Sequence, residues 1–150
     1  ALNYALRFAR GELVTVYDAE DHPEPQQLRR AADVFAAAAQ RPGARPLGCL
    51  QAALVIHNDA ENWLTRQFAL EYRVLFLRLL PKLAELGLPV PLGGTSNHFP
   101  LEVLLATGGW DAFNVTEDAD LETFTRDYVK AIVENAPLSL KAVMALLNCS

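Results

Sequence analysis

Hydrophobic and polar positions along the chain change their spacing several times. Residues 13–17 and 48–57 are short apolar runs of strand length, and turn-forming residues follow each of them. Residues 25–40 and 64–81 instead carry apolar side chains at helical spacing, and Pro25 suits the first turn of its helix. The order strand, helix, strand, helix predicts an α/β sheet with helices on its faces.

The apolar positions also predict which faces of these two helices are buried. The longer helix, 64–81, should be the main packing element. Its predicted inner stripe is Leu64, Phe68, Tyr72, Leu75, Phe76 and Leu79. The stripe of the helix over 25–40 is Leu28, Ala31, Ala32 and Phe35.

The remaining segments are predicted as shorter elements and connections. Residues 1–10 read as a helix that ends at Gly11. Residues 86–100 are rich in Gly and Pro and read as a loop, before a short helix over 101–106 and a Gly-Gly turn. From residue 122 onward, apolar side chains at helical spacing predict two amphipathic helices separated by Pro137.

Composition and charge narrow the class of protein. The 150 residues are 51% hydrophobic and 21% charged, which suits one globular domain. A net charge of -5 argues against nucleic acid as the main partner, because binding to a nucleic-acid backbone relies on clustered Lys and Arg. The two cysteines, Cys49 and Cys149, lack zinc-type spacing, so packing thiols in a reducing compartment are expected.

The acidic run 18-DAED-21 follows the first predicted strand and has two interpretations. Asp favours turns and helix starts, so the run can simply connect the strand to the next helix. Alternatively, Asp18, Glu20 and Asp21 supply carboxylate oxygens to Mg²⁺ or Mn²⁺. Ligands of open α/β sheets lie beyond the carboxyl ends of the strands, where this run is expected.

A second acidic run, 114-NVTEDADL-121, also has two interpretations when it is considered on its own. Asn114 or Thr116 can cap a helix, and acids in a first turn favour the helix dipole. The other interpretation makes one carboxylate of the run a general base. In the same way, residues 94–97 read either as a loop or as small polar groups that line a pocket.

Five separated motifs occur in an order that resembles a known family. They are 2-LNYALRFARGELVTVYDAEDHPEP-25, 50-LQAALVIHN-58, 62-NWLTRQFALEY-72, 91-PLGGTSNHFP-100 and 108-GGWDAFNVTEDADL-121. Together they resemble the catalytic domain of family-2 inverting glycosyltransferases of the cellulose-synthase-like type. The resemblance implies a partial GT-A fold over residues 1–121, with a mixed sheet flanked by helices, and a helical tail of different origin over 122–150.

The resemblance also implies roles for individual residues. Asp18 matches the first metal carboxylate of the family, and Glu20 or Asp21 stands where a second one is expected; the implied cofactor is Mg²⁺ or Mn²⁺. Asp118 matches the catalytic base, and Glu117 stands beside it. The positions expected near the acceptor are Gly94, Thr95, Ser96, Asn97 and Trp110.

The implied reaction is sugar transfer from a nucleotide-diphosphate sugar to a glycan or other hydroxyl acceptor, with inversion. The implied setting is the cytoplasm, at the inner membrane, which a longer parent would reach through parts outside this chain. Pro100 departs from the family, which usually has Arg there. Residues 122–147 instead resemble a helical segment of the enoyl-CoA hydratase family, so an acyl-CoA protein and a non-catalytic remnant are the alternatives.

Overall fold

The computed structural model describes residues 1–43, 46–86, 88, 90–110 and, for the backbone alone, 129–133. Within these ranges the chain forms a mixed α/β domain, as the sequence predicts. The helices are α1 (Leu2–Leu6), α2 (Gln27–Ala39), α3 (Trp63–Val74), α4 (Leu80–Glu85) and α5 (Leu101–Ala106). The strands are β1 (Leu13–Val16), β2 (Leu47–Ala52), β3 (Asn97–Pro100) and β4 (Val129–Val133).

The four strands form one sheet in the order β1-β3-β2-β4. The strand β3 is antiparallel to both of its neighbours, whereas β4 is parallel to β2. Because β3 runs in the opposite direction, its first residue, Asn97, is paired with Val16 of β1 and with Gln51 of β2. The start of β3 therefore lies at the carboxyl ends of β1 and β2.

Two apolar clusters cover the two faces of the sheet. One consists of Cys49, Phe99, Val103, Leu104 and Trp110, with α1 packed against it through Leu2 and Leu6. The other joins α2 to β2 through Ala31, Val34, Leu47 and Leu50. Cys49 is fully buried, as expected of a packing thiol.

The long helix continues past the predicted end at Pro81. A π-helical segment, Leu75–Leu79, joins α3 to α4, and Pro81 lies in the first turn of α4. Proline has no backbone N–H and cannot donate to the carbonyl of Leu77, so a wider turn before it lets the helix pass. Asn62 and Thr65 cap the start of α3 with a reciprocal pair of hydrogen bonds.

The predicted inner stripes of the two long helices are only partly correct. Leu64, Phe68 and Leu79 are exposed, while Ala69, Phe76 and Leu80 are buried. The π-helical segment shifts the regular 3.6-residue repeat, so Leu80 rather than Leu79 packs with Phe76, Ala53 and Val90. Leu64 and Phe68 precede this segment, so it does not account for their exposure.

In α2 the buried residues are Gln27, Ala31 and Val34, so the inner face is shifted from the predicted stripe. Leu28 and Ala32 of that stripe are exposed.

Two further predictions are wrong. The Gly- and Pro-rich stretch 86–100 contains a strand, β3, at its end rather than only a loop. The predicted helix across 129–133 is the strand β4, because these residues extend the sheet beside β2. Val and Ile at its positions suit a strand as well as a helix face, and pairing decides between them. In the described part of the chain, no helix has the length and hydrophobicity needed to cross a membrane.

Candidate functional site

The acidic loop lies at the carboxyl end of β1, beside the start of β3. The backbone N–H of Asp18 donates to the Asp21 Oδ2 atom over 3.1 Å and to the Thr95 Oγ1 atom over 3.0 Å. The Thr95 hydroxyl in turn donates to Asp21 Oδ2. Three residues from two of the predicted site segments are thus brought together; Glu20, the other predicted metal ligand, is exposed in the same loop.

These contacts leave part of the carboxylate set open to a ligand. Asp21 uses one oxygen for the loop, and the contacts of Asp18 named above are made by its backbone. Within the described ranges, no group of three or more His, Cys, Asp and Glu side chains is placed to hold a metal ion. Two carboxylates nevertheless fit a magnesium-type ion, which commonly takes one or two from the protein and the rest from phosphates and water.

Behind the acidic loop, the segment from Gly93 to Asn97 is fixed by buried amides. Gln51 accepts from the Gly93 N–H over 2.7 Å and donates to the Thr95 carbonyl over 2.8 Å. Asn97 donates from its side chain to the Gly93 carbonyl. Ser96 has φ = 57°, a left-handed conformation that non-glycine residues rarely adopt, and backbone bonds to Val16 and Ala52 hold it there.

The predicted acceptor-side residues differ in their exposure. Thr95, Ser96 and Asn97 are buried, and Gly94 is exposed. The Asn97 Oδ1 atom is buried without a hydrogen-bond partner. An unpaired buried acceptor costs about 1–3 kcal/mol of stability.

Trp110 is buried in the core rather than open on a surface. Its ring meets Phe99 edge-on at a centroid distance of 6.0 Å. Its backbone N–H donates to Asn3, and the Asn3 amide donates back to the Trp110 carbonyl. These contacts give Trp110 a packing role; its contact with an acceptor stays a prediction.

Glu117 and Asp118 lie outside the described residues.

Tyr17 and His98 form a polar layer beneath the acidic loop. The Tyr17 hydroxyl donates to Gln27 at the start of α2, and its ring meets the His98 ring at 6.2 Å. Burial raises the pKa of Tyr17, and the Asp21 carboxylate raises it further, so the phenol stays protonated and remains a donor. The Thr15 hydroxyl lies 2.9 Å from His98 Nδ1.

His98 should make the stability of the domain fall in mild acid. Burial lowers the pKa of its imidazole from 6.5 to about 4, so the folded state holds it neutral. Below pH 6.5 the His98 imidazole becomes protonated in the unfolded chain but stays neutral in the folded chain. Stability is therefore fully present above pH 6.5 and falls as the pH approaches 4, by up to about 3 kcal/mol.

Urea unfolding at pH 7.5, 6.5, 5.5 and 4.5 measures this loss. In His98→Gln the loss over this range should be smaller, while His57→Gln, which removes an exposed histidine, should keep it. An unchanged slope in His98→Gln would show that other groups cause the acid sensitivity.

Sequence reasoning missed several residues that build the site. Gln51 lies inside the apolar run 47–53 and is 1% exposed. A single polar amide within an apolar run could have indicated a structural role for Gln51, because a buried polar group needs hydrogen-bond partners. No comparable pattern in the sequence indicates that Tyr17 pairs with Gln27 or that His22 contacts His57. Each of these contacts depends on tertiary placement.

Taken together, the fold and the site define an α/β domain with a carboxylate pair and a polar loop at the carboxyl edge of its sheet. Residues 1–126 match the protein family described as "Glycosyltransferase like family 2". The chain belongs to this family, and by that resemblance it is a glycosyltransferase sequence. The match runs slightly beyond the predicted boundary at residue 121.

A curated relative supports the same assignment. The chain is 30% identical over 121 residues to "Beta-monoglucosyldiacylglycerol synthase" from Synechocystis sp.. The similar region covers 81% of this chain and 24% of the relative, so the chain spans about a quarter of the relative's length. The resemblance of residues 122–147 to enoyl-CoA hydratases stays a prediction.

Proposed function

We propose that this domain transfers a sugar from a nucleotide-diphosphate sugar to a hydroxyl acceptor, with inversion at the anomeric carbon. The observation that supports it best is the Asp18–Thr95–Asp21 cluster, because it gathers carboxylates from the acidic loop and a hydroxyl from the polar loop at one sheet edge. Family membership supplies the reaction class. The protein acts in the cytoplasm in this proposal.

Asp18 and Asp21, with Glu20 within the same loop, would hold Mg²⁺ or Mn²⁺. When bound, such a cation neutralises the negative charge of a diphosphate leaving group. The chain's own part is to keep the carboxylates in place. Thr95 does so by bonding one Asp21 oxygen and the Asp18 N–H at once, and the Asp18 carboxylate takes no part in these two bonds.

Asp118 would take the proton from the acceptor hydroxyl as that oxygen attacks the anomeric carbon. A hydroxyl is a weak nucleophile at neutral pH, so a carboxylate within hydrogen-bond reach raises the rate. Glu117 would orient its neighbour. A single displacement of this kind inverts the configuration, so an α-linked donor gives a β-linked product.

The acceptor would lie against residues 94–97 and Trp110. Gly94 is the exposed residue of this segment and can contact an acceptor directly, whereas the unpaired Asn97 Oδ1 atom is buried. The relative's name contains both a monoglucosyl group and a diacylglycerol. A lipid hydroxyl is therefore an acceptor to test beside a glycan.

Binding measurements test the carboxylate assignment directly. In isothermal titration with Mn²⁺ and UDP-glucose or GDP-mannose, Asp18→Asn should weaken Mn²⁺ binding by about 10- to 100-fold. This substitution retains the backbone N–H that fixes the loop, so the folded structure should persist. Glu85→Gln, which removes a surface carboxylate paired with Lys82, is the matched control.

The binding result has two outcomes that contradict the proposal. One is equal Mn²⁺ affinity in the wild type and Asp18→Asn. The other is absence of Mn²⁺ and nucleotide-sugar binding by the wild-type chain.

A further inference from the structure

We propose that Gln51 is a positioning residue for the carboxylate site. It would act through Thr95, which holds both Asp18 and Asp21, and it would not touch the sugar or the cation itself. The inference rests on the proposed function only for its metal-binding consequence. The hydrogen-bond geometry that carries it is independent of which ligand binds.

The Gln51 side-chain amide is buried, and both its oxygen and its nitrogen have hydrogen-bond partners. The side chain is 1% exposed, and its oxygen accepts from the Gly93 N–H. Its nitrogen donates to the Thr95 carbonyl over 2.8 Å and to its neighbour's carbonyl, Ala52 O, over 3.2 Å. A buried amide with three partners has one orientation, because every other rotamer leaves polar atoms unpaired.

Gln51 holds the loop before β3 through hydrogen bonds to two points of its backbone. It bonds the backbone at Gly93 and at Thr95, two positions apart, so it fixes the loop's path rather than a single atom. A Cβ atom at Gly93 would come within 3.5–3.6 Å of the Gln51 amide and the Phe76 ring, so the loop lies directly against them. Ser96, in its left-handed conformation, then turns the chain into β3.

Thr95 connects this loop to the carboxylates. With its backbone fixed by Gln51, Thr95 presents its hydroxyl to the Asp18 N–H and to Asp21 Oδ2. A shift of the Thr95 backbone by about 1 Å would exceed the narrow distance range in which such bonds form. The position of the acidic loop at the end of β1 is therefore set from β2, two strands away.

Hydrogen exchange at the Asp18 backbone amide measures how strongly the acidic loop depends on Gln51, and it needs no ligand. The reference is the Leu101 amide, which donates to Glu12 at the other end of β1. In Gln51→Leu the exchange rate of Asp18 relative to Leu101 should rise about tenfold. Leu50→Ala is the matched control: it weakens the same strand from the opposite face of the sheet, and it should leave that ratio within twofold.

A second set of variants tests the route through the Thr95 hydroxyl. Thr95→Val should raise the same ratio about tenfold, and Thr95→Ser, which keeps the hydroxyl, should restore the wild-type ratio. Adding Gln51→Leu to Thr95→Val should then change the ratio less than twofold, because both act through one bond. Additive effects, or an equal change in Leu50→Ala, would overturn the positioning role.

Mn²⁺ titration in the presence of UDP separates this inference from the proposed function. Gln51→Leu should weaken Mn²⁺ binding about tenfold, within the range found for residues that orient metal ligands. If the wild-type chain binds no Mn²⁺ but the exchange coupling holds, the proposed metal-assisted function fails and the loop assignment stands. If Mn²⁺ binds equally to the wild type and Gln51→Leu, the positioning role is wrong.

Discussion

Replacing Asp118 with Asn should lower kcat for sugar transfer by about 10²- to 10⁴-fold, the usual contribution of a general base. Asn has nearly the shape of Asp but cannot accept the proton of the attacking hydroxyl. Binding of the donor should change little, since the diphosphate end of the donor is proposed to bind through Asp18 and Asp21. The measurement is steady-state transfer from UDP-glucose or GDP-mannose to added acceptors, after a screen for the active pair.

Glu117→Gln is the matched comparison for this experiment. It removes the neighbouring carboxylate and should reduce kcat far less, because Glu117 is proposed only to orient Asp118. Equal turnover by the wild type and Asp118→Asn would refute the base assignment. A larger loss in Glu117→Gln than in Asp118→Asn would exchange the two roles.

Replacing Phe99 with Ala should lower the free energy of unfolding by about 3–5 kcal/mol. Phe99 is 1% exposed in β3, the strand between β1 and β2, and its ring packs edge-on against Trp110. Truncation removes a large buried apolar surface and leaves a cavity in a close-packed core. A loss of this size is a large share of the stability of an ordinary domain, about 5–15 kcal/mol.

Urea unfolding followed by tryptophan fluorescence measures this loss. Phe68→Ala is the control, because Phe68 is about half exposed on α3 and should cost less than about 1 kcal/mol. A cost below 1 kcal/mol in Phe99→Ala would show that this cluster does not stabilise the domain.

Several elements were predictable from the sequence because local pattern and tertiary placement agree there. The run 13–17 gave β1 almost to the residue, and the helix over 101–106 has the predicted bounds. Both are bounded by residues with strong local effects, Gly and Pro among them. The α/β class followed from the order of the elements alone.

The strand β3 could not be predicted in the same way. It consists of only four residues, Asn97–Pro100, and two of them are polar. Its partners β1 and β2 satisfy its backbone from both sides, so pairing compensates for the weak strand propensity of Asn and Pro. The same explanation applies to the strand β4. It forms by pairing with β2, which is distant in sequence, and the helical spacing of its apolar residues does not indicate this pairing.

The position of the acidic residues of the candidate site could be predicted from the sequence. The residues that hold them in place were harder to predict. Asp18 follows a strand, so its place at the carboxyl edge follows from the rule for open sheets. That Thr95 would join Asp18 and Asp21 depends on the reversed direction of β3, which no local pattern contains. The orphaned Asn97 oxygen likewise depends on what surrounds it in three dimensions.

The reversed direction of β3 has a consequence for how such domains can diversify. The connection from α4 to β3 is held at Val90, which packs with Phe76 and Leu80, and again at Gly93, which is hydrogen-bonded by Gln51 and Asn97. Insertions or deletions before Val90 should leave the turn at residues 93–97 in place, because both anchors come after them. Related domains could therefore differ in length before Val90 and still form this turn, on which the proposed carboxylate site depends.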